Sequence, residues 1–425
     1  MLISSDVKRR IIGVMTLIVI FIILGALFLR EQPMSPELRD YNIQAQKIFE
    51  NAKIQFENMR NVILPSNIKL FVYTKQQAVD RWGKAFSSLG TDSVEHQENI
   101  YKSLFLMAEE ESLSSAVSEW VSSWTAVTVG NEIYVIYENF WPWDILNAEA
   151  TLIHELTHVW QSGLSSPDNY DMNLAYNALI EGDASYMADY YITRHNTVHL
   201  DSKHINDDTF PLLPSFLWSS SIYPNVPNTF TELNRFPYVY GKIFVSTLFD
   251  NGNWDRVNRC YTQKTAPSTT TQILHPDKYF TGEIAKNTFA PTPICGNWTL
   301  INSKYGSSDT YGEYFIYVML NNWLSNVSAQ NASSGWSGDS FVYYENNQDF
   351  LLVWDINWSS LQDASEFNQA FKNMLNLTSA KIQNDNNNVW FTNGRYLTVT
   401  CDPTTTTTLI LCSTIQTAVD PIFFI

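Results

Sequence analysis

Two histidines and two glutamates have the residue types and the spacing of a metal site. His154 and His158 lie four residues apart in TLIHELTHVWQ, residues 151–161, and Glu155 follows the first histidine. Residues four apart on a helix lie nearly above one another, so both imidazoles can bind one ion. Glu155 is offset by about 100° on the helix and can reach a water beside that ion. The pattern predicts a zinc ion that activates this water, with Glu155 as the general base.

The five-residue pattern HELTH also occurs on ordinary buried helices. A zinc site is therefore indicated only if the chain supplies a third ligand. Catalytic zinc usually has three protein ligands. Glu181, in ALIEGDASYMADYY, follows His158 by 23 residues, which leaves room for a loop and a returning helix. It comes after three apolar residues, and Gly182 beside it permits the backbone and the zinc ligand to approach closely. We therefore predict that His154, His158 and Glu181 bind one zinc ion per chain.

The residues after the second histidine exclude one class of zinc peptidase. The metzincin motif continues with a glycine three residues, and a histidine six residues, after that histidine. This chain has Gln161 and Leu164 at those positions. An acceptor for an imidazole N–H is also expected near the ligands, and the candidates are Asp183 and Asp189. The alternative for each aspartate is a capping or solvated role.

The set His154, Glu155, His158 and Glu181 resembles that of the gluzincin zinc metallopeptidases, and EGDA at 181–184 resembles their third-ligand helix. Segments 236–258, 272–280 and 335–371 also resemble a largely uncharacterised group of exported bacterial HExxH proteins, in which a glutamate stands where this chain has Thr271. The resemblance covers roughly residues 65–380. It implies an α+β fold, with a mixed sheet packed on an active-site helix and a third-ligand helix, and zinc-dependent peptidase activity on a protein or peptide.

A peptidase also needs a hydrogen-bond donor for the oxyanion of its tetrahedral intermediate. The candidates are Tyr238, Tyr240 and His275. Tyr238 and His275 are preferred as catalytic residues, because they lie in the segments that resemble the exported group. The alternative is a structural role for each in the core. The strand predicted at 131–140 is the candidate edge strand along the substrate cleft.

The amino terminus has the composition of a membrane anchor. Residues 11–29, IIGVMTLIVIFIILGALFL, carry no charge and would form a helix about 28 Å long, close to the roughly 30 Å apolar core of a bilayer. Lys8, Arg9 and Arg10 precede the run, so the amino terminus is expected in the cytoplasm and the catalytic part outside the cell. A cleaved signal peptide is the alternative, but the run ends without a small-residue cleavage site.

The overall composition narrows the possible partners. The chain of 425 residues has a net charge of −17, which opposes binding to nucleic acid, and 45% hydrophobic residues, which indicates a folded chain. The sequence does not determine the oligomeric state. Four cysteines fit two disulfides in an oxidising compartment. Cys401 and Cys412 are expected to close a short hairpin, which leaves Cys260 with Cys295, although three pairings are possible.

We predict an anchored α+β protein whose sequence falls into five regions. These are a cytoplasmic tail at 1–10, a transmembrane helix at 11–29, a juxtamembrane amphipathic helix at 30–63, a zinc metallopeptidase domain at 64–290 and a carboxyl-terminal α/β subdomain at 291–425. Strands are expected at 67–74 and 131–140, and helices at 145–162, 174–191 and 238–250, with loops over 200–235.

The predicted function is that of a single-pass, membrane-anchored extracytoplasmic zinc metallopeptidase. One alternative keeps the zinc and Glu155 but hydrolyses a non-peptide amide. Another is a non-catalytic surface scaffold, in which a structural zinc joins two helices. Such a site is normally closed by a fourth protein ligand, for which His195, His199 and His204 are the candidates.

Overall fold

The computed structural model describes residues 36–83, 91–161, 166–167, 169–195, 227–262, 264–294, 296–302, 308–378, 380–384, 389–401 and 404–423. The chain contacts divide it into two units, residues 1–48 and 49–425. The predicted tail and anchor at 1–29 lie outside the described residues. Among the described residues, no helix is both long enough and apolar enough to cross a membrane.

The region before residue 291 combines a small mixed sheet with long helices. In chain order its elements are α1 (Pro36–Arg60), β1 (Lys69–Tyr73), α2 (Lys75–Ala78), a π-helical turn (Val79–Gly83), α3 (Thr91–Ser103), α4 (Leu113–Ser122), β2 (Ala126–Val129), β3 (Glu132–Ile136), α5 (Ile145–Trp160), α6 (Tyr170–His195), α7 (Asn228–Asp250), α8 (Asn253–Asn258), α9 (Thr270–Leu274) and α10 (Pro276–Thr281). The predicted α+β class is confirmed.

The three-stranded sheet has the order β1-β3-β2, with β3 parallel to β1 and antiparallel to β2. The strands predicted at 67–74 and 131–140 are confirmed as β1 and β3. The expectation that the strand at 131–140 is the edge strand is wrong, because β3 has a neighbour on both sides. The edge strand beside α5 is β2. It consists of only four residues, Ala126–Val129.

Helix α5 confirms the helix predicted for the HELTH motif. It begins after Asp144, whose side chain accepts a hydrogen bond from the backbone N–H of Asn147. Its buried stripe includes Leu152, Leu156 and Val159, which holds the helix against the core. The histidines lie on another face of the helix, where they remain partly exposed.

Helix α7 begins ten residues earlier than the predicted start at residue 238. The residues at 228–235, which were predicted to be loop, are helical, and the helix continues through Pro237 although proline normally breaks a helix interior. Here Pro237 lies inside the helix, and its neighbour Phe236 is fully buried, so tertiary packing outweighs the local cost.

Two glycines set the distance between α6 and α7. A Cβ atom on Gly182 would lie 2.2 Å from the carbonyl carbon of Gly241, and one on Gly241 would lie 2.1 Å from the Ala178 oxygen. Both distances are below any van der Waals contact, so only glycine fits at either position. Gly182 therefore allows a close helix crossing, whereas the sequence suggested a close approach to the metal.

The region after residue 291 forms a second, larger sheet. Its elements are β4 (Thr299–Ile301), α11 (Gly312–Asn321), α12 (Asn326–Ser333), β5 (Trp336–Asn346), β6 (Asp349–Trp358), α13 (Leu361–Leu377), β7 (Lys381–Asn384), β8 (Val389–Thr392), β9 (Arg395–Cys401) and β10 (Thr407–Ser413), followed by 3-10 turns at Gln416–Val419 and Pro421–Phe423. The strand order is β4-β5-β6-β10-β9-β8-β7, and every pair is antiparallel.

The antiparallel pairing corrects the predicted α/β class of this region, which is α+β. Short connections join β5 to β6 and β8 to β9, and such turns produce antiparallel neighbours. One hydrophobic core runs through both regions. It contains Phe236 and Val245 from α7, Phe315 from α11, and Leu352 and Trp354 from β6, and so crosses the predicted boundary at residue 290.

The predicted disulfide between Cys401 and Cys412 is wrong. In the β9–β10 pair, Cys401 lies opposite Thr408 and Cys412 lies opposite Leu397. The two cysteines are therefore offset by four positions, or about 13 Å along the strands, which exceeds the span of a disulfide. Both thiols are free, as is that of Cys260. The predicted partner of Cys260, Cys295, lies outside the described residues.

A buried aspartate joins the start of α6 to the second sheet region and predicts a pH-dependent stability. Asp309 Oδ1 accepts hydrogen bonds from the backbone N–H groups of Tyr170 at 2.7 Å and Thr310 at 2.8 Å. Burial, together with the nearby charge of Asp339, raises the pKa of Asp309 to about 7. Because the folded chain holds this proton more tightly than the unfolded chain, the contribution of Asp309 to stability falls as pH rises from about 4 to about 7.

Asp309→Asn is therefore expected to stabilise the protein at pH 8 by a few kcal/mol, roughly the free energy of the pKa shift, and to be nearly neutral at pH 4.5. The amide oxygen still accepts both backbone hydrogen bonds, while the charge is removed. Denaturant unfolding of both proteins across this pH range measures the difference. A difference that does not change with pH would contradict this assignment.

Candidate metal centre

Helices α5 and α6 bring the three predicted ligands together. The Nε2 atoms of His154 and His158 are 3.1 Å apart, and Glu181 Oε2 lies 3.3 Å from each of them. Among the described residues, this is the one group of three or more His, Cys, Asp or Glu side chains whose ligand atoms lie within 4.8 Å of one another. Each of the three side chains is about one fifth exposed, so the cluster is open to solvent on one side.

The spacing of these atoms fits a small divalent ion. In a tetrahedral zinc site with bonds of about 2.0–2.1 Å, neighbouring ligand atoms lie roughly 3.3–3.4 Å apart. The separations of 3.1, 3.3 and 3.3 Å are close to that value. Glu181 Oε2 is also buried, and no described residue gives it a well-aligned hydrogen bond. A buried carboxylate needs positive charge beside it, and a cation bound by all three atoms would supply that charge.

Glu155 is held beside the cluster by the edge strand. The hydroxyl of Thr128, on β2, donates to Glu155 Oε2 at 2.6 Å and lies 3.1 Å from the Glu155 carbonyl oxygen. The Glu155 side chain is almost fully buried, and its charge raises the pKa of His158 and that of Tyr238. The carboxylate of Glu155, the predicted general base, is therefore close enough to the ligand His158 to affect its charge. Thr128 was not among the predicted site residues, because its strand was not predicted.

Tyr238, on α7, lies beside the cluster with its ring against that of His154. Its ring is nearly parallel to that of His154, with 6.3 Å between ring centroids. Burial, the charges of Glu181 and Glu155 and a hydrogen bond to Glu181 raise the pKa of Tyr238 well above its ordinary value. The phenol therefore stays protonated and can donate a hydrogen bond to an oxygen that gains negative charge.

Gln161 orients the second histidine. Its Oε1 atom lies 3.0 Å from His158 Nδ1, three residues earlier on the same helix. An amide oxygen can only accept, so Nδ1 carries the proton of the neutral ring and the Nε2 lone pair faces the cluster. In the bare cluster, burial disfavours charge on His158, but the carboxylate of Glu181 outweighs it and raises the pKa to about 9. Without a metal ion, the carboxylate of Glu181 therefore favours the protonated, positively charged form of His158.

Gln161 in turn joins a buried ionic network. Its Nε2 atom donates to Tyr261 Oη at 2.9 Å and lies 3.3 Å from Asp183 Oδ2. Asp183 makes two hydrogen bonds with Arg60, at 2.6 and 2.8 Å, and accepts one from Tyr261 at 2.5 Å. The Arg60 guanidinium lies 4.4 Å above the ring of Trp160. The buried charges of Asp183 and Arg60 thus compensate each other below the metal-binding face.

One of the two predicted imidazole acceptors, Asp183, needs correction. Asp183 does not contact His158 directly. Gln161 lies between them and contacts both side chains. Asp189 forms an ion pair with Lys242 at 2.7 Å, and the nearby His154 acts to lower its pKa, so its role as an imidazole acceptor stays a prediction. Spacing along the helix contained the signal for Gln161, since residues three apart on a helix are neighbours. Gln161 was not among the predicted site residues, although its position had excluded the metzincin motif.

Two predicted histidines are placed away from the cluster. His275 Nε2 lies 2.9 Å from Glu313 Oε1, and no described contact joins it to the metal ligands, so a catalytic role for His275 has no support in the geometry. His195 stacks on Tyr191 and lies 2.9 Å from its carbonyl oxygen, about 21 Å along α6 from Glu181. The other predicted fourth ligands, His199 and His204, lie outside the described residues.

The contact between Gln161 and His158 leads to a prediction for metal affinity. Gln161→Met has a similar length but no acceptor, so the His158 ring loses the hydrogen bond that fixes its tautomer. We expect zinc affinity to fall by about 10–100-fold, which is the usual effect of removing such a partner. Competition with a fluorescent zinc chelator measures the change. Gln77→Met, on the surface helix α2, is the control, and an unchanged affinity in Gln161→Met would contradict the assigned role.

Comparison with known proteins gives limited matches. A family described as "Domain of unknown function (DUF8575)" matches residues 301–419, which contain most of the second sheet. No curated protein matches the chain. A solved structure from Chloroflexus aurantiacus, described as a "putative hydrolase with a novel fold", matches at a TM-score of 0.38 and 15% identity, over 59% of this chain and 92% of that chain. Similarity at this level does not bear on the activity of this protein.

Proposed function

We propose that the cluster of His154, His158 and Glu181 binds one zinc ion and that the protein is a zinc-dependent metallopeptidase of gluzincin type. The observation that carries the proposal is the triangle of three ligand atoms at 3.1, 3.3 and 3.3 Å, with the carboxylate of Glu155 on the same helix. The two-helix arrangement and the order of the ligands in the chain support the gluzincin assignment.

Glu155, Thr128 and Tyr238 have separate roles in the proposed hydrolysis. A zinc ion would supply Lewis acidity, which lowers the pKa of a water and polarises a carbonyl group. Glu155 accepts the proton of the attacking water, and its contact with Thr128 fixes the direction of the carboxylate. Tyr238 keeps its proton and donates to the carbonyl oxygen as negative charge develops there.

An open site favours catalysis over a structural zinc. Among the described residues, the cluster has three protein ligands and no fourth, and the ligands remain partly exposed. A structural zinc site is normally closed by four protein ligands, whereas a catalytic site keeps one position for water or substrate. The proposed substrate is a protein or peptide.

The proposed location is the outer face of a cell membrane. The support is the uncharged run at 11–29 with basic residues before it, which would anchor the chain with its amino terminus in the cytoplasm. The three free thiols of Cys260, Cys401 and Cys412 neither require nor oppose this location.

The full-length protein is expected to contain one zinc ion per chain by elemental analysis and to cleave members of a peptide library. A chelator should remove both the metal and the activity, and added zinc should restore them. His154→Ala should lose the metal, whereas His96→Ala, which changes a histidine paired with Glu345, should keep it. Full zinc content in His154→Ala would show that the cluster is not the zinc site.

A further inference from the structure

Five asparagines begin a triplet Asn-X-Ser/Thr, which is the acceptor motif for N-linked oligosaccharides. The triplets start at Asn297, Asn326, Asn331, Asn357 and Asn376, and none occurs in the first 296 residues. Asparagine is common in this chain, so a triplet alone does not identify an acceptor. The surroundings of each asparagine in the fold separate a usable acceptor from a chance match.

A turn before β4 presents Asn297 to solvent. Gly296 has a φ of +94°, and a Cβ atom there would lie 2.7 Å from the indole nitrogen of Trp298, so the turn requires glycine. The Trp298 ring packs against the apolar cluster that contains Val342, whereas Asn297 and Thr299 on either side of it are exposed. The asparagine and the hydroxyl residue of this triplet are therefore both accessible to a transferase.

The strand that follows Asn297 lies at an edge of the second sheet. Thr299 is the first residue of β4, which has three residues and pairs with β5. In the part of the chain that the structure describes, no strand lies on the other side of β4. An extended segment at a sheet edge can be bound by another protein without disruption of the core.

Asn357 begins a similar triplet, Asn-Trp-Ser, but the fold closes it. It lies on β6, between β5 and β10, and its Nδ2 atom donates to Thr288 Oγ1 at 2.7 Å. The next residue, Trp358, is fully buried, and its carbonyl oxygen accepts a hydrogen bond from Lys286 Nζ at 3.2 Å. An oligosaccharide on Asn357 would break the bond to Thr288 and displace the segment around it. Asn357 is therefore a built-in comparison for Asn297.

The other three triplets lie on helices. Asn326 and Asn331 belong to α12, and Asn376 belongs to α13. The hydroxyl residue of the triplet at Asn331 is Ser333, which is buried. Acceptor asparagines are typical of surface loops, where the backbone can fit into a transferase. Of the five asparagines, Asn297 therefore has the surroundings that suit an acceptor.

We propose that Asn297 carries an N-linked oligosaccharide. The donor is an oligosaccharide joined through its anomeric carbon to a polyprenyl diphosphate. The amide nitrogen of Asn297 forms a bond to that carbon, and the bond from the carbon to the phosphate oxygen breaks. The polyprenyl diphosphate leaves with the bonding electrons, and the amide proton passes to a base of the transferase. The proposal rests on the proposed location outside the membrane, but not on zinc binding or peptidase activity.

The test is mass spectrometry of peptides from the full-length protein, purified from the membranes of the cells that naturally produce it. We expect the peptide with Asn297 to carry sugar and the peptide with Asn357 to be unmodified. Thr299→Ala should abolish the sugar on Asn297, because it removes the hydroxyl of the triplet, whereas Thr299→Ser should retain it. Asn287→Gln changes an exposed asparagine outside any triplet and should leave the sugar in place.

Two further measurements separate this proposal from the proposed location and function. Digestion of intact cells with trypsin reports the location, and the zinc content of Asn297→Gln should stay at one per chain, because Asn297 is not a metal ligand. Absence of sugar on Asn297 overturns the proposal, and the trypsin result shows whether the location fails with it. Equal modification of Asn357, or sugar that persists on Asn297 in Thr299→Ala, would also overturn the proposal.

Discussion

Glu155→Gln is expected to lower kcat/KM for peptide cleavage by about 10²–10⁴-fold while the zinc content stays at one per chain. Glutamine has the same shape and still accepts a hydrogen bond from Thr128, which lies 2.6 Å from the carboxylate. It cannot take a proton from water. Because Glu155 is not one of the three ligands, the metal should remain bound. Elemental analysis and initial rates on one cleaved peptide measure the two effects.

The control for this variant is Glu138→Gln, which makes the same chemical change at an exposed residue before α5. Glu138 accepts a hydrogen bond from the Lys75 backbone N–H, and glutamine can do the same. Its kcat/KM should match that of the wild type. If Glu155→Gln retains more than about a tenth of the wild-type activity, the general-base role of Glu155 is wrong. If it loses zinc, the carboxylate has a structural role at the site.

Arg60→Met is expected to lower the free energy of unfolding by about 3–5 kcal/mol, since it leaves the carboxylate of Asp183 buried and unpaired. Both side chains of the pair are fully buried, and the two hydrogen bonds between them measure 2.6 and 2.8 Å. Methionine keeps part of the packing against Trp160 and Trp254, so the loss is mainly electrostatic. Chemical denaturation measures the free energy.

Two further variants test the electrostatic explanation. Arg60→Met combined with Asp183→Leu removes both charges and should recover much of the lost stability, because replacing a buried pair by apolar groups is often neutral. Arg81→Met, at a guanidinium that stacks on Tyr134 near the surface, should cost no more than about 1 kcal/mol. If the double variant is as unstable as Arg60→Met, lost packing and not unpaired charge explains the effect.

The ligand cluster could be predicted from the sequence because its geometry is local. The spacing of His154 and His158 is a property of any helix, and Glu181 follows on the next helix, which returns along the first. Strands β1 and β3 were predictable for a similar reason, since each contains a run of β-branched and aromatic residues. Periodicity also located α5 and the buried stripe that contains Leu156.

The residues around the cluster could not be predicted in this way, because they come from distant parts of the chain. Arg60 precedes Asp183 by 123 residues, and Thr128 lies on a four-residue strand whose pattern is too short to recognise. Cys401 and Cys412 show a related limit. Their separation in the chain suits a hairpin, but the register that separates them depends on strand pairing across the whole sheet.

The contact between Gly182 and Gly241 couples two groups of the site that belong to different helices. Glu181 precedes Gly182 on α6, and Tyr238 lies one turn before Gly241 on α7. At this crossing backbone touches backbone, so no side-chain rotamer can absorb a change in volume. A single added methyl group at either glycine would therefore displace a ligand and a donor at once. The contact between the two glycines fixes the distance between α6 and α7. Mutations at these glycines should therefore disturb the site as much as mutations of the ligands themselves.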